Sequence, residues 1–342
     1  MMRLLAFDIG GANLKASDGR DFCASRPFPL WRRPNELAAA LAELAATAPP
    51  ADRWVATMTG ELADCFATKA EGVAAIVAAL VHAADGREVS IYLTDGRLVP
   101  PALATARPLE AAAANWHALA RFAARYAPRE CGLLIDIGST TTDVIPLVDG
   151  QPAATGRTDP DRLMSGELVY TGVERTPVCA LTGELPWAGR VCPTAAEVFA
   201  TAWDVYLVLE DLPEEPDSLH TADGRPATRS CARDRLARQI CADRTLFSMD
   251  DAQAAARAVA QRQCAQIAHA IQAVLRRLPR PPHNVILSGS GEFLARRVIE
   301  RLELSSEIVS LGKILGSEKS RAATAFALAT LAHEDFAARC RA

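Results

Sequence analysis

Two stretches of the sequence share one pattern: LAFDIGGANLK at residues 5–15 and LIDIGSTTTD at residues 134–143. Each begins as a short apolar run, which predicts a buried strand, and passes through Asp-Ile-Gly and small or hydroxyl residues into a second strand. Glycine allows a tight turn to bring backbone N–H groups close to a ligand, and successive free N–H groups form an anion-binding nest. Two copies about half a chain apart therefore predict two similar lobes that face one anionic ligand.

The composition narrows the class of protein. A chain of 342 residues with 50% hydrophobic residues predicts two domains or one long α/β unit. The net charge of −4, without a basic stripe, argues against a nucleic-acid-binding surface. The apolar start is interrupted by Asp8 and is too short for a signal peptide, and no segment has the apolar length of a membrane span. We therefore expect a soluble, cytoplasmic protein whose nine scattered cysteines are free thiols.

The order of predicted elements supports two lobes, at residues 1–129 and 130–342. In both, a strand, a glycine turn, a second strand and a hairpin follow one another. One long helix is predicted over residues 108–126, where an aromatic and aliphatic stripe has helical spacing and is typical of core packing. A third motif, at residues 284–291, leads from an apolar strand into a turn that contains Gly289, Ser290 and Gly291. Such a turn either binds a nucleotide or substrate at a helix N-terminus or uses its glycines for packing.

These three motifs, in this order, resemble the superfamily of acetate and sugar kinases, heat-shock chaperone ATPases and actin. The two Asp-Ile-Gly turns resemble its phosphate-1 and phosphate-2 loops, and residues 287–291 resemble its adenosine motif. The resemblance implies an α/β protein with two similar lobes of actin-like, ribonuclease H-like fold and a ligand cleft between them. It leaves ATP open as a ligand.

A closer resemblance rests on four segments, at residues 8–15, 58–64, 69–73 and 136–143. They are similar to hydantoinase/oxoprolinase-related proteins of the tetrahydromethanopterin-linked one-carbon pathway, whose archaeal relatives take part in methanofuran biosynthesis. That resemblance implies a transferase that joins a furanylmethyl diphosphate to a phenolic acceptor of the γ-glutamyl-tyramine kind and releases pyrophosphate. A different phenol, such as a tyrosine unit, stays open as the acceptor.

The implied reaction assigns a role to each candidate residue. The departing diphosphate needs hydrogen-bond donors and cations aimed at its oxygens. Asp8 and Asp136 are the predicted ligands of Mg²⁺. The predicted phosphate-binding residues are Gly10, Gly11, Asn13, Lys15, Gly138, Ser139, Thr140 and Thr141.

A phenol with a pKa of roughly 10 needs a base, and Glu61 and Asp64 are the candidates because they follow a predicted strand end. Lys69 is a candidate for binding a carboxylate or phosphate of the substrate. The structural alternatives are a helix-start carboxylate for Glu61 and a solvated surface lysine for Lys69.

Two other functions use the same turns. An ATP-dependent kinase or a hydantoinase/oxoprolinase-like, ATP-driven hydrolase would place them on the β- and γ-phosphates of ATP. A non-catalytic nucleotide-sensing protein would close its lobes on a nucleotide without turnover. In each case the expected partner is a phosphorylated small molecule, with no nucleic acid and no membrane, and a homo-oligomer is possible.

Overall fold

The computed structural model describes residues 3–339. Its strands are β1 (Leu4–Ile9), β2 (Asn13–Ser17), β3 (Cys23–Pro27), β4 (Arg53–Met58), β5 (Glu88–Tyr92), β6 (Leu98–Val99), β7 (Cys131–Ile137), β8 (Thr142–Val148), β9 (Gln151–Pro152), β10 (Leu168–Val169), β11 (Glu184–Trp187), β12 (Arg190–Pro193), β13 (Asn284–Ser288) and β14 (Glu307–Ser310). Its α-helices are α1 (Leu37–Ala46), α2 (Lys69–Ala84), α3 (Pro101–Ala106), α4 (Pro108–Ala111), α5 (Asn115–Ala123), α6 (Asp159–Ser165), α7 (Val178–Leu181), α8 (Ala202–Val208), α9 (Arg229–Arg238), α10 (Met249–Leu275), α11 (Glu292–Arg301), α12 (Leu311–Leu315), α13 (Ser317–Arg321) and α14 (Ala323–Arg339).

The first sheet has the strand order β3-β2-β1-β4-β5-β6. Short turns join β1, β2 and β3, so these three strands are antiparallel, whereas the helical connections through α1 and α2 bring β4 and β5 back parallel to β1. The Asp95-Gly96 turn joins β5 to the antiparallel β6. The end of β1 therefore lies at the centre of the sheet, between β2 and β4.

The second sheet repeats this arrangement in the order β10-β8-β7-β13-β14, and β9 also pairs with β8. Its first three strands are antiparallel, and β13 and β14 are parallel to β7. The registers match as well, because Asp8 lies opposite Lys15 and Asp136 lies opposite Asp143. The duplication predicted from the two Asp-Ile-Gly turns is therefore present in the strand order, the strand directions and the register.

Alternate side chains of β1 point to opposite faces of the first sheet, and helices cover both faces. Leu5, Phe7 and Ile9 belong to a buried cluster with α1 and α2. Leu4 and Ala6 point to the other face, as alternate residues of a strand do, and pack with α5 and α14. The last helix of the described chain thus covers the first sheet.

The second sheet is covered in the same way on both faces. Ile135 and Ile137 pack with α8, α10 and α11, whereas Leu134 and Ile286 pack with α5 and α14. The helices α5 and α14 therefore lie between the two sheets. The proposed lobe boundary at residue 129 stays a prediction. Within residues 3–339, no helix is both long enough and apolar enough to cross a membrane.

The predicted single helix over residues 108–126 is wrong. Helix α4 ends at Ala111 and α5 begins at Asn115, and between them Ala113 has a φ of 47°. No glycine or proline marks this break, so local propensity did not indicate it. The predicted core role of the stripe is confirmed, because Trp116 and Leu119 are buried in the cluster between the sheets.

Candidate functional site

A cleft of about 460 Å³ lies where the central strands of both sheets end. Its walls are the turns after β1 and β7, the turn after β4, the break before α5 and parts of the segment 159–175. The lining brings together twelve of the predicted site residues: Asp8, Gly10, Gly11, Asn13, Lys15, Glu61, Asp64, Asp136, Gly138, Ser139, Thr140 and Thr141.

The two glycine turns have the same internal geometry. The Gly10 N–H donates to the Asn13 carbonyl oxygen at 3.0 Å, and the Gly138 N–H donates to the Thr141 carbonyl oxygen at 2.9 Å. These two N–H groups, which the sequence predicts as ligand donors, therefore close the turns.

The residues that follow supply the available donors instead. In the part of the chain that the structure describes, the backbone N–H groups of Gly11, Ser139 and Thr140 have no protein acceptor. They line the cleft, one from the first turn and two from the second. An anionic ligand between the turns can accept from both lobes at once.

Asp8 is buried at the end of β1, and Asp136 is half-buried at the end of β7. One oxygen of Asp8, Oδ1, has no hydrogen-bond partner, and its Oδ2 lies 3.7 Å from the Lys15 ammonium. Burial raises the pKa of Asp8, and the charge of Lys15 acts in the opposite direction. Burial together with the negative charge of Asp143 raises the pKa of Asp136 to about 6. One buried and one half-buried carboxylate beside a single lysine are an environment that favours a further cation.

A magnesium ion fits this carboxylate pair in one specific way. Among residues 3–339, no group of three or more His, Cys, Asp or Glu side chains is arranged to hold a metal ion. Mg²⁺ is commonly bound through one or two carboxylates, with water and ligand phosphate oxygens as its other ligands. The unpartnered Oδ1 of Asp8 is compatible with that mode. Asp8 and Asp136 would hold the ion only together with water and a phosphorylated ligand.

The second lobe adds a buried ion pair to the cleft wall. Arg162 lies in α6, a helix that begins with a capping box between Thr158 and Asp161. Its Nη2 is 2.6 Å from Asp143 Oδ1, its Cζ is 4.2 Å from the centre of the Trp116 ring, and its side chain is 2% exposed. Burial raises the pKa of Asp143, and Arg162 opposes that rise. The Arg162 Nε is also buried without a partner.

Glu61 is the most enclosed carboxylate of the first-lobe wall, at 1% exposed. Helix α2 packs directly against it, since a Cβ on Gly72 would lie 2.0 Å from the Glu61 carbonyl oxygen. Its Oε2 has no hydrogen-bond partner. Burial raises the pKa of Glu61 to about 7, while its own N–H, the Ala113 N–H and Lys69 act in the opposite direction. Asp64, in the same turn, is exposed. A buried cleft carboxylate with a raised pKa is a candidate acid or base.

Lys69 does not line the cleft. Its Nζ lies 2.5 Å from Asp159 Oδ2, and Asp159 does line it. Because Lys69 begins α2 and Asp159 begins α6, this half-buried ion pair joins the two lobes beside Glu61. The predicted role of Lys69 in binding substrate stays a prediction.

The turn of Gly289, Ser290 and Gly291 is also outside the cleft lining. Gly289 has a φ of +86°, and a Cβ there would lie 2.2 Å from the carbonyl oxygen of Ile137. A Cβ on Gly291 would lie 2.4 Å from the Ile137 side chain. Both glycines allow the turn to pack against the end of β7, and the predicted nucleotide- or substrate-binding role of the turn stays a prediction.

Comparison with protein families gives a match to the hydantoinase/oxoprolinase model over residues 53–335. The chain belongs to the hydantoinase/oxoprolinase family. The matched range begins at β4 and includes Glu61, the second glycine turn and all of the second sheet. The first glycine turn lies before it.

Two curated proteins are similar to this chain over long ranges. A protein of Methanocaldococcus jannaschii is 32% identical over 331 residues, which is 96% of this chain and 97% of that protein. It is named (4-{4-[2-(gamma-L-glutamylamino)ethyl]phenoxymethyl}furan-2-yl)methanamine synthase. A protein of Methanococcus vannielii with the same name is 31% identical over 222 residues, 64% of this chain and 98% of that protein. Both relatives are named as synthases, which supports the conclusion that this chain is an enzyme.

Among solved structures, a nucleotide-free acetone carboxylase aligns with a TM-score of 0.51 and 11% identity, over 96% of this chain and 70% of that chain. At this identity the similarity concerns the fold alone. With the duplicated sheets, it confirms the predicted α/β fold of two similar actin-like, ribonuclease H-like lobes around a cleft.

Several cleft residues of this family member were not among the predicted site residues. Trp31, Asp159, Arg162 and Arg175 lie far from the glycine turns in the sequence. The glycine-, threonine- and proline-rich composition of residues 156–192, in which Glu167, Tyr170 and Arg175 are interspersed, is typical of a functional loop region, but it does not indicate which side chains reach the cleft. Their positions depend on how the lobes pack, which no local pattern records.

Proposed function

We propose that the chain is a transferase of methanofuran-type cofactor biosynthesis that joins a furanylmethyl diphosphate to a phenolic acceptor and releases pyrophosphate. The compound in the relatives' name is an ether between a phenol and a furanylmethyl carbon. To make that ether, a phenol oxygen displaces a leaving group from the carbon. The observation that carries this proposal is one cleft lined by both glycine turns, by the strand-end aspartates Asp8 and Asp136, and by the enclosed carboxylate of Glu61.

In the proposed step, the phenol oxygen forms a bond to the furanylmethyl carbon. The bond between that carbon and the diphosphate oxygen breaks, and its electron pair leaves with pyrophosphate. The N–H groups of Gly11, Ser139 and Thr140 and the ammonium of Lys15 stabilise the charge that develops on the leaving group. Mg²⁺ bound by Asp8 and Asp136 would neutralise part of that charge.

Glu61 takes the phenol proton. A general base works best when its pKa approaches that of the group it deprotonates and lies near the working pH. The phenol has a pKa of roughly 10, so a carboxylate of pKa about 7 is better matched to it than an exposed glutamate.

The first test is whether the chain makes the ether. The protein is incubated with Mg²⁺, a furanylmethyl diphosphate and γ-glutamyl-tyramine, and mass spectrometry and a pyrophosphate assay follow the products. We expect one pyrophosphate for each ether formed. Absence of both products with folded, ligand-binding protein would overturn the proposal.

A binding test separates the transferase from the other candidates. Pyrophosphate with Mg²⁺ should stabilise the protein by about 2.7 kcal/mol at a hundred times its Kd. Asp136→Asn should lose this stabilisation. Asp149→Asn, in the exposed β8–β9 turn where φ is 49°, is the matched control and should keep it. Stabilisation by ATP and ADP, but not by pyrophosphate, would instead favour a kinase, an ATP-driven hydrolase or a nucleotide sensor.

A further inference from the structure

The outer part of the cleft differs in chemistry from its inner part. Leu62 and Tyr170 line it from opposite lobes and are 62% and 68% exposed, whereas Asp8 and Glu61 are buried. Trp31, half-buried, lines the cleft as well. Exposed aromatic and aliphatic side chains at a cleft entrance are suited to the faces of planar rings. The cleft therefore has a buried polar end and an exposed, largely apolar end.

Arg175 adds one positive charge to this exposed end. Three cations line the cleft, and two of them have carboxylate partners: Lys15 has Asp8, and Arg162 has Asp143. Within residues 3–339, no carboxylate lies within ion-pair distance of the Arg175 guanidinium. The neighbouring Glu174 is only near enough to interact electrostatically. The guanidinium instead stacks over Trp31, with Cζ 5.1 Å from the ring centre.

The backbone ties both members of this stack to the glycine turns. The Leu30 N–H, one residue before Trp31, donates to the Gly11 carbonyl oxygen at 2.9 Å. The Arg175 N–H donates to the Ser139 carbonyl oxygen, also at 2.9 Å. The stack therefore bridges the two lobes at a fixed position relative to both anion-binding turns.

We infer that Trp31, Tyr170 and Arg175 form the acceptor subsite, in which Arg175 binds a carboxylate of an amino-acid-bearing phenol. This inference rests on the proposed function, which places the diphosphate at the glycine turns and the phenol oxygen near Glu61. The remainder of the acceptor then extends towards the exposed end of the cleft. A planar guanidinium there can make two parallel hydrogen bonds to a carboxylate, while Trp31 and Tyr170 contact the phenol ring.

A matched pair of acceptors tests this assignment. 3-(4-Hydroxyphenyl)propionate and 3-(4-hydroxyphenyl)propionamide have nearly the same shape and differ in one negative charge. The ratio of their kcat/KM values should fall about tenfold to a hundredfold in Arg175→Gln, because a charge-assisted hydrogen bond is lost. The KM for the furanylmethyl diphosphate should not change. Arg175→Lys should restore part of the ratio, and Arg190→Gln, on an exposed hairpin outside the cleft lining, should leave it unchanged.

Two results would overturn the assignment. Equal losses with both acceptors would show that Arg175 only supports the structure. A raised KM for the diphosphate, with an unchanged acceptor ratio, would place Arg175 on the donor.

A measurement without turnover separates this inference from the proposed function. Calorimetry compares the binding of the two phenols to wild type and Arg175→Gln in the presence of Mg²⁺ and pyrophosphate. A preference for the carboxylate that disappears in Arg175→Gln supports the subsite even if no ether is formed. No preference in wild type would overturn the subsite even if ether is formed.

Discussion

The turns after β4 and after β13 occupy the same position in the two lobes, and each contains a glycine followed by a glutamate. The Gly60 N–H donates to the Ile9 carbonyl oxygen at 3.1 Å, and the Gly291 N–H donates to the Ile137 carbonyl oxygen at 2.9 Å. Because β1 and β7 are equivalent strands, Glu61 of the first lobe corresponds to Glu292 of the second.

The surroundings of these two glutamates differ. Glu292 Oε2 accepts from the Ser310 hydroxyl at 2.5 Å, and Oε1 accepts from the Gly312 N–H at 2.8 Å. Glu61 lines the cleft and has an unpartnered Oε2. In the second lobe the carboxylate connects α11 to the junction of β14 and α12, whereas in the first lobe it is held without a full set of donors. The duplicated fold thus places a glutamate at the same position in both lobes. The neighbouring segments determine whether its carboxylate has hydrogen-bond donors, as Glu292 does, or is available for chemistry, as Glu61 is.

The residues opposite the two strand-end aspartates, Asp8 and Asp136, show the same divergence. Lys15 lies opposite Asp8 in the register of β1 and β2, but the equivalent position opposite Asp136 is Asp143. In the second lobe, the carboxylate of Asp143 forms an ion pair with Arg162. The first lobe therefore presents a partly exposed cation to the cleft, and the second presents a buried ion pair.

The largest expected effect separates the two glutamates. Glu61→Gln should lower kcat of the ether-forming reaction about 10²- to 10⁴-fold, because it removes the base while keeping the side-chain shape. Glu292→Gln should leave kcat of the folded protein nearly unchanged but lower the free energy of unfolding by about 1–2 kcal/mol. Steady-state kinetics measure kcat of each variant, and urea unfolding measures the free energy of unfolding of each. Loss of turnover in Glu292→Gln but not in Glu61→Gln would contradict the assignment of Glu61 as the base and Glu292 as a structural residue.

The next effect concerns Asp143 and Arg162. Asp143→Asn leaves the Arg162 guanidinium, 2% exposed, without its carboxylate, and should lower the free energy of unfolding by about 3–5 kcal/mol. The double variant Asp143→Asn with Arg162→Met should recover much of that loss, since no unpaired charge is then buried. Urea unfolding of the single and double variants measures this coupling. Additive losses would show that the ion pair is not the source of the effect.

The smallest effect is a pH dependence of stability. Burial raises the pKa of Glu61 from 4.5 to about 7, so between these pH values the folded protein keeps a proton that the unfolded chain has released. The free energy of unfolding should therefore fall as pH rises through this window, by on the order of 3 kcal/mol. Glu61→Gln should remove the part of the fall that Glu61 contributes, so the stability of the variant relative to wild type should be higher at pH 8 than at pH 4.5.

The matched control for this prediction is Asp64→Asn, which removes an exposed carboxylate from the same turn. Its stability should fall with pH as that of wild type does. Urea unfolding at four or five pH values measures all three proteins. Parallel curves for wild type and Glu61→Gln would show that Glu61 does not titrate in this range.

The sequence predicted the features that short-range patterns determine. Apolar runs ending in Asp-Ile-Gly are local signals, so both strands, both turns and their equivalence were recognised. Asp159 and Arg162 were not recognised, because they reach the cleft only through the packing of the second lobe. The break at Ala113 was missed for a similar reason: an alanine-rich segment leaves the helix where it passes Glu61, and alanine itself gives no signal for a positive φ.

Helix α14, which covers one face of the first sheet, has a consequence for synthesis on the ribosome. The strands of that sheet emerge early, but Leu328 and Phe336, which pack against Leu4 and Val55, emerge near the end. At about 5–20 residues per second, the delay is roughly tens of seconds. During that time the nascent first lobe keeps an apolar face exposed, and its folding is completed only after α14 has emerged.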